Sequence, residues 1–432
     1  MKNTEPIKTI QLTERIVVRR KTQLYEQLDY LTFKTKNLYN SSLFRNRSIF
    51  FDNQYNGTRN PLETYNQQDV LLKTHNDYKE LPAKVAQQVL KLADKNWKSY
   101  WASIKSYAQN PSKFKAYPKP PYYLDSITGR QVACYTIQAI SSVSLKQGCI
   151  QLSGIDCSIK SRVAKKASKS SKYRINQVRV VQKLGYYVVE VIYTRRTIKH
   201  KLSNKRVAAI DLGINCLAAL TFNGKRNPRL FNGKPVKSIN RYYNKLIAKA
   251  KSQLQLGIGT SKRIQALWRR RECKIKHYLH CCSKQIVDVL ISNHVGSLVV
   301  GYNKGWKQKL NIGSVNNQKF AMIPFTVFTS LLGYKCELHG IKFIQQEESY
   351  TSKASFLDND VIPVFNGKSS KKHSFSGKRK HRGLYVSSNG TKLNADVNGS
   401  LNIMRKVTDK MINIKSVLAF VVAPVTVHVR CA

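Results

Sequence analysis

Acidic residues are scarce in this chain: 23 Asp and Glu stand against 75 Lys and Arg in 432 residues, a formal net charge of +52. Such a chain repels itself unless a polyanion neutralises many of its side chains, so nucleic acid is the partner that composition favours. Paired cysteines are also missing. The nine cysteines, at 134, 149, 157, 216, 273, 281, 282, 336 and 431, include no CxxC pair, so neither a disulfide framework nor a closed zinc finger is written in their spacing. Long apolar runs are absent too. The longest, residues 417–429, contains Pro424 and His428 and is too short to span a bilayer unaided. The opening MKNTEPIKTIQLTERIVVRRK lacks the apolar centre of a signal peptide. These absences predict a cytoplasmic protein with no membrane partner.

What is present speaks for a folded chain. Hydrophobic residues make up 42% and aromatics 10%, too many for a disordered polymer, and the length suits two or three domains. Residues 21–112 carry apolar positions at helical spacing, in YEQLDYLTFKTKNLYNSSLF and again in LPAKVAQQVLKLADKNWKSYWASIKSYA, and predict a helical lobe. From Pro118 the pattern turns to short β-rich runs, among them QVACYTIQAI and YYVVEVIYT, whose spacing predicts a small barrel. Further on, a strand pair around VAAIDLGINCLAALTF precedes two helical stretches at about 242–256 and 261–292. A strand GSLVV, a helix, a strand IKFIQQEES and a late helix in NADVNGSLNIMRKV follow. That order is RNase H-like.

Two segments, 160–174 and 368–382, each hold seven basic residues in fifteen and no acid. In the first, Lys160, Arg162, Lys165, Lys166, Lys169, Lys172 and Arg174 are expected to meet phosphates; in the second, Lys371, Lys372, Lys378, Arg379, Lys380 and Arg382. Tyr135, Tyr186 and Tyr187 offer faces on which unpaired bases could stack, with ordinary core packing the competing reading. Trp306 among Lys304, Lys307 and Lys309 is read as a plug on the domain surface.

Phosphodiester hydrolysis by divalent cations needs carboxylates converging from different elements. Asp211 ends an apolar strand, where burial must be offset by a cation. Asp396 opens the last helix, as a metal ligand or as an N-cap. Glu347 and Glu348 end a strand, and either could point towards the same edge.

The strings AIDLGINCLAAL, EESYTSKASF and NADVNGSLNI, in that order, resemble the three blocks of the TnpB (OrfB) family of transposon-encoded, RNA-guided nucleases, relatives of the compact single-effector CRISPR nucleases. The resemblance covers residues 206–407 most strongly. It implies an α+β multidomain fold with a helical recognition lobe (21–112), a wedge-like β-barrel (1–20 and 113–200) and a RuvC nuclease domain. That last domain would fill 204–410, with a basic insertion at about 351–392 and a tail at 411–432. It implies catalytic, metal-holding Asp211 and Asp396. The family's middle glutamate usually ends the strand where this sequence has Gly301, and a branch that moves it to the neighbouring strand points to Glu348. Mg²⁺ or Mn²⁺ as cofactor, guide RNA from the transposon end and double-stranded target DNA are the implied partners. The family's four-cysteine ribbon has no counterpart, since residues 351–396 lack cysteine, so no structural zinc is expected. Gly301 also leaves open a nuclease-dead DNA-binding protein, and the triad alone would equally suit a transposase.

Overall fold

The computed structural model describes residues 8–303, 322–364, 373–381, 383–408 and 412–431. The sequence readings of Lys371, Lys372, Arg382 and the 304–309 segment fall outside them. Two compact units are formed: residues 11–196, and residues 197–431 together with the first described residues up to Ile10.

In the first unit, β1 (Thr9–Arg19) leads into α1 (Gln23–Asn56), which Thr22 starts by accepting from the Tyr25 backbone N–H and Gly57 ends in the left-handed conformation (φ 66°). Then come α2 (Tyr65–Leu71), α3 (Asn76–Lys79) and α4 (Ala83–Gln109). The chain continues through β2 (Ala133–Thr136), α5 (Ser142–Lys146), β3 (Cys149–Ile150), β4 (Ile159–Lys160), α6 (Arg162–Ala167), β5 (Tyr173–Lys183) and β6 (Tyr186–Arg196). The β runs form a four-stranded sheet in the order β1-β6-β5-β2 beside the β3–β4 hairpin. Helices and sheet share one core, in which Leu28, Leu38, Leu90 and Trp97 join Tyr135, Val178, Tyr187 and Val189.

The second unit is built on a six-stranded sheet. Its strands are β7 (Ser203–Leu212), β8 (Cys216–Phe222), β9 (Arg229–Asn232), β10 (Val295–Gly301), β11 (Lys342–Gln346) and, after a separate three-stranded sheet of β12 (Lys378–His381), β13 (Leu384–Val386) and β14 (Lys392–Asn394), β15 (Val425–Val427). The order is β11-β10-β7-β8-β9-β15. β10 runs parallel to both β7 and β11, and β8 is antiparallel to its two neighbours. The helices are α7 (Lys234–Ser252), α8 (Lys262–Ser292), α9 (Phe325–Leu338), α10 (Ala395–Thr408) and α11 (Ile414–Val421). α7 begins eight residues earlier than its apolar periodicity suggests, because Pro235 suits a first turn.

Strand alternation sorts the core into two layers. Ala208, Ile210 and Leu212 of β7 face Leu279, Phe328 and Leu332 of α8 and α9. Val207 and Ala209 belong with Leu401, Met404 and Val417 of α10 and α11 on the other face. Asp211, in phase with 207 and 209, therefore faces α10; Gly301, in phase with Val299, does the same. Residues 411–432, the tail of the sequence reading, supply α11 to this core and β15 to the sheet, where β15 pairs in parallel with β9. Among the described residues no helix is long and apolar enough to cross a membrane.

Candidate nuclease site and the relatives it resembles

α10 is polar on a buried face, which is unusual enough to need explanation. Asn394 accepts from the backbone N–H groups of Asp396 and Val397 at 2.9 and 3.2 Å, so Asn394 caps this helix. The Asp396 carboxylate is thus not spent as the cap. Ser400 Oγ donates to the Ala209 carbonyl at 2.9 Å, fastening α10 to β7. Asn398 and Asn402 donate to the Ala354 carbonyl at 2.8 and 2.7 Å, and Asn402 also to that of Thr351. Two of the sequence blocks, EESYTSKASF and NADVNGSLNI, are therefore hydrogen-bonded to one another. A Cβ at Gly399 would lie 2.5 Å from Asp211 Oδ2; only glycine lets α10 approach that carboxylate so closely.

Asp211, Glu348 and Asp396 line one cavity of 810 Å³, with Arg379, Lys380 and His381 from β12 and Lys234 from the start of α7. Asp211 keeps some accessible surface at the cavity, yet burial first, then the Glu348 and Asp396 carboxylates, push its carboxyl well above the ordinary range, with Arg379 pulling the other way. Arg379 Nη2 lies 3.7 Å from Asp396 Oδ1. Asn303 Nδ2 donates to Glu348 Oε1 at 3.3 Å. A Cβ on Gly301 would stand 2.3 Å from Glu348 Oε2, so Glu348 fills the space beside the strand position where the resemblance leads one to look for a glutamate.

Glu347 has a different setting. Burial works against its ionised form, but Lys406, whose Nζ lies 2.7 Å away, and Ser349, whose N–H donates at 2.6 Å, outweigh it and hold the carboxyl below its ordinary range. The charge of Glu347 is matched by a lysine from α10.

Two sets of predicted nucleic-acid contacts part company. Lys160, Arg162, Lys165, Lys166, Lys169, Lys172 and Arg174 are all exposed, as are Lys378, Arg379 and Lys380. The first run contains α6, whose first turn is held by the Glu14 carboxylate accepting from Ser161 and from the Arg162 and Val163 backbone. Tyr135 and Tyr187, by contrast, are fully buried, with hydroxyls on the Ser153 carbonyl and on Asp29. They are core residues and offer no stacking face. Thr426 and His428 also line the carboxylate cavity. Sequence gave no hint of them, because β15 reaches the site only through sheet pairing.

Residues 186–307 match the family model OrfB_IS605, described as a probable transposase, and residues 325–403 match that of the Cas12f1-like TNB domain. The chain is similar to OrfB-type and Cas12f1-like proteins. A curated relative, the TnpB-like protein ORF457 of Acidianus two-tailed virus, is 23% identical over 234 residues, 51% of this chain and 46% of that protein. The chain thus spans about half the length of the relative it matches. Cas12f1, solved in complex with sgRNA and target DNA, is 15% identical, with a TM-score of 0.52 over 88% of this chain and 82% of the other. It shares the mixed α+β multidomain fold. C2c1 of Alicyclobacillus acidoterrestris, solved with single-guide RNA, is 8% identical with a TM-score of 0.41 over 89% and 70% of the two chains, and bears no further weight.

The expectation of no structural zinc is overturned. A TNB-domain match covers 325–403, and one nitrogen of His277 and the sulfurs of Cys281 and Cys431 lie within 4.8 Å of one another. Cys281 Sγ is 3.8 Å from His277 Nε2, one turn away on α8. A set of two thiols and one imidazole is the soft, nitrogen-and-sulfur chemistry that suits Zn²⁺. Residues 351–396 lack cysteine, and the candidate ligands come instead from α8 and from beyond β15. The helical spacing of His277 and Cys281 was the one local signal.

Proposed function

We propose that this chain is a transposon-associated, RNA-guided DNA endonuclease that hydrolyses phosphodiesters with divalent cations held by Asp211, Glu348 and Asp396. The reading rests above all on the convergence of these three carboxylates, from a strand end, a following turn and a helix start, around one cavity. An all-oxygen donor set fits hard divalent cations, and a cation would offset the burial and mutual repulsion that raise Asp211. When bound, a pair of such cations stabilises the attacking and the leaving oxygen of an in-line displacement.

The chain's own residues do the remaining work. Asn303 orients Glu348, and Asn394 leaves the Asp396 carboxylate available by capping the helix in its place. Arg379 and Lys380 present positive charge at the cavity, where a scissile phosphate would lie. The basic segments supply sequence-independent affinity for backbone. Sequence choice is delegated to base pairing with the guide, the complex of Cas12f1 with sgRNA being the support for an RNA partner.

The test is cleavage of a plasmid library by protein co-expressed with its flanking locus, with divalent cation or chelator. Cutting that needs the cation, survives Glu347→Gln and disappears in Glu348→Gln is expected. RNA-dependent binding without any cut would replace this reading by a guided binding protein, and strand-transfer products made without RNA would replace it by a transposase.

A further inference from the structure

The first unit carries an aromatic surface that the reading of Tyr135 and Tyr187 did not anticipate. Residues 98–123 contain seven aromatic and five basic residues and no acid. Several of these rings are not core. Trp101 is 45% exposed and Tyr117 60%, and both line a cleft of 540 Å³ between the end of α1, the 57–62 loop and α4.

The cleft is built rather than incidental. Trp101 is backed by Tyr100 at 4.9 Å and by Phe50 at 5.8 Å between ring centroids. Tyr117 is held edge-on by Tyr107 at 5.1 Å. The opposite wall is fixed by Asn53, whose Oδ1 accepts from Thr58 Oγ1 and the Asn60 N–H at 2.7 and 2.9 Å while its Nδ2 donates to the Asn60 carbonyl at 2.7 Å. Arg59 is exposed on that wall. Glu63, at the far end of the loop, is already paired with Arg45.

We propose that this cleft binds an unpaired nucleobase of a single nucleic-acid strand, stacked on Trp101 or Tyr117, with its phosphates against Arg59 and the lysines of residues 98–119. Rigid rings presented among cations and polar amide edges are the chemistry of a stacking platform, because every base has a π-face and every linker a negative charge. A second copy of this chain is a poor occupant, since it would bring another strongly positive surface to a positive one. The proposal rests on the nucleic-acid reading above but not on cleavage.

Single strands of about twelve nucleotides, RNA in one arm and DNA in the other, carry one 2-aminopurine and are titrated with the full chain. Anisotropy reports binding, and quenching of the base reports stacking. Quenching is expected with the native chain. Trp101→Ala and Tyr117→Ala are each expected to weaken binding about tenfold and relieve the quenching, with the salt dependence unchanged because no phosphate contact is lost. Trp101→Phe should retain most of both. Unaltered binding and quenching in both alanine variants overturns the site while leaving nucleic-acid binding intact. A weakening accompanied by a change from dimer to monomer in sedimentation assigns the cleft to self-association and also overturns it. If the native chain binds neither strand at about 50 mM salt, the nucleic-acid reading falls and the proposal with it. The arm with the stronger quenching tells which kind of strand supplies the base.

Discussion

The carboxylate cavity and the basic segments are held in opposite ways. Asp211, Glu348 and Asp396 sit at the ends of elements locked by buried hydrogen bonds, and two glycines, 301 and 399, give up their side chains to make room. The cations of 160–174 are long, exposed side chains on and around one short helix. In the first region position is everything and each group should be irreplaceable. In the second, charge density matters and any one residue should be dispensable. The difference follows from dielectric: like charges crowded into a buried site interact strongly, whereas exposed ones are screened within about 10 Å at ordinary salt.

The sharpest way to break this contrast is Asp211→Asn. Cleavage should fall at least about a thousandfold, the scale of losing a group that acts directly on the transition state. Stability should move the other way. Because Asp211 is raised above its ordinary carboxylate value in the fold, ionising it costs stability as pH rises from that ordinary value towards the raised one, and at neutral pH the cost is present in cation-free protein. In chelator the variant should therefore melt no lower than the native chain; a lower melting temperature would mean that the carboxylate is a structural group.

Next in size is Gly301→Ala. Its Cβ would meet Glu348 Oε2 and, at 2.6 Å, Ile403 Cδ1, an overpacking that costs about 1–3 kcal/mol. Melting should drop by several degrees and cleavage should fall with it. An unchanged melting curve would show the cavity wall to be softer than its packing implies. Cys431→Ser probes a site of intermediate character, with exposed His277 and half-buried Cys281 on α8 and an exposed Cys431. Bound zinc measured on purified protein should fall well below the native ratio, and equal zinc content would remove Cys431 from the ligand set. The smallest effect belongs to Lys169→Ala, which should reduce the slope of log affinity against log salt by about one and leave cleavage at saturating protein unchanged. A large loss from this one lysine would make the basic run a specific contact after all.

These regions also differ in how far sequence revealed them. Asp211 could be singled out because a carboxylate ending an apolar run is costly, and that is a local property. Whether Asp396 caps its own helix is also local, yet the answer lies in Asn394, two residues earlier, whose side chain takes that role. The pairing of Glu347 with Lys406 spans 59 residues, so no pattern around Glu347 announces it. The same holds for the candidate zinc cluster, whose third member lies 150 residues beyond Cys281, and for β15, which reaches the cavity by pairing with β9. The tyrosines failed for a complementary reason. Alternation within β2 and β6 turns Tyr135 and Tyr187 inward, and their hydroxyls find buried partners. Rings left outside include Trp101 of α4 and Tyr117, Tyr122 and Tyr123 of the segment after it, where interleaved lysines were the signal.

Gly301 carries one more implication, and it concerns which substitutions the pocket accepts. Because Glu348 Oε2 occupies the volume beside residue 301, any side chain placed at 301 would have to displace the Glu348 carboxylate. The volume at the end of β10 is thus filled from the neighbouring turn, and the two positions share one space that a single side chain occupies. A side chain can therefore be tolerated at 301 most readily after Glu348 has been shortened, so the two positions are expected to accept substitutions in that order and not in the reverse.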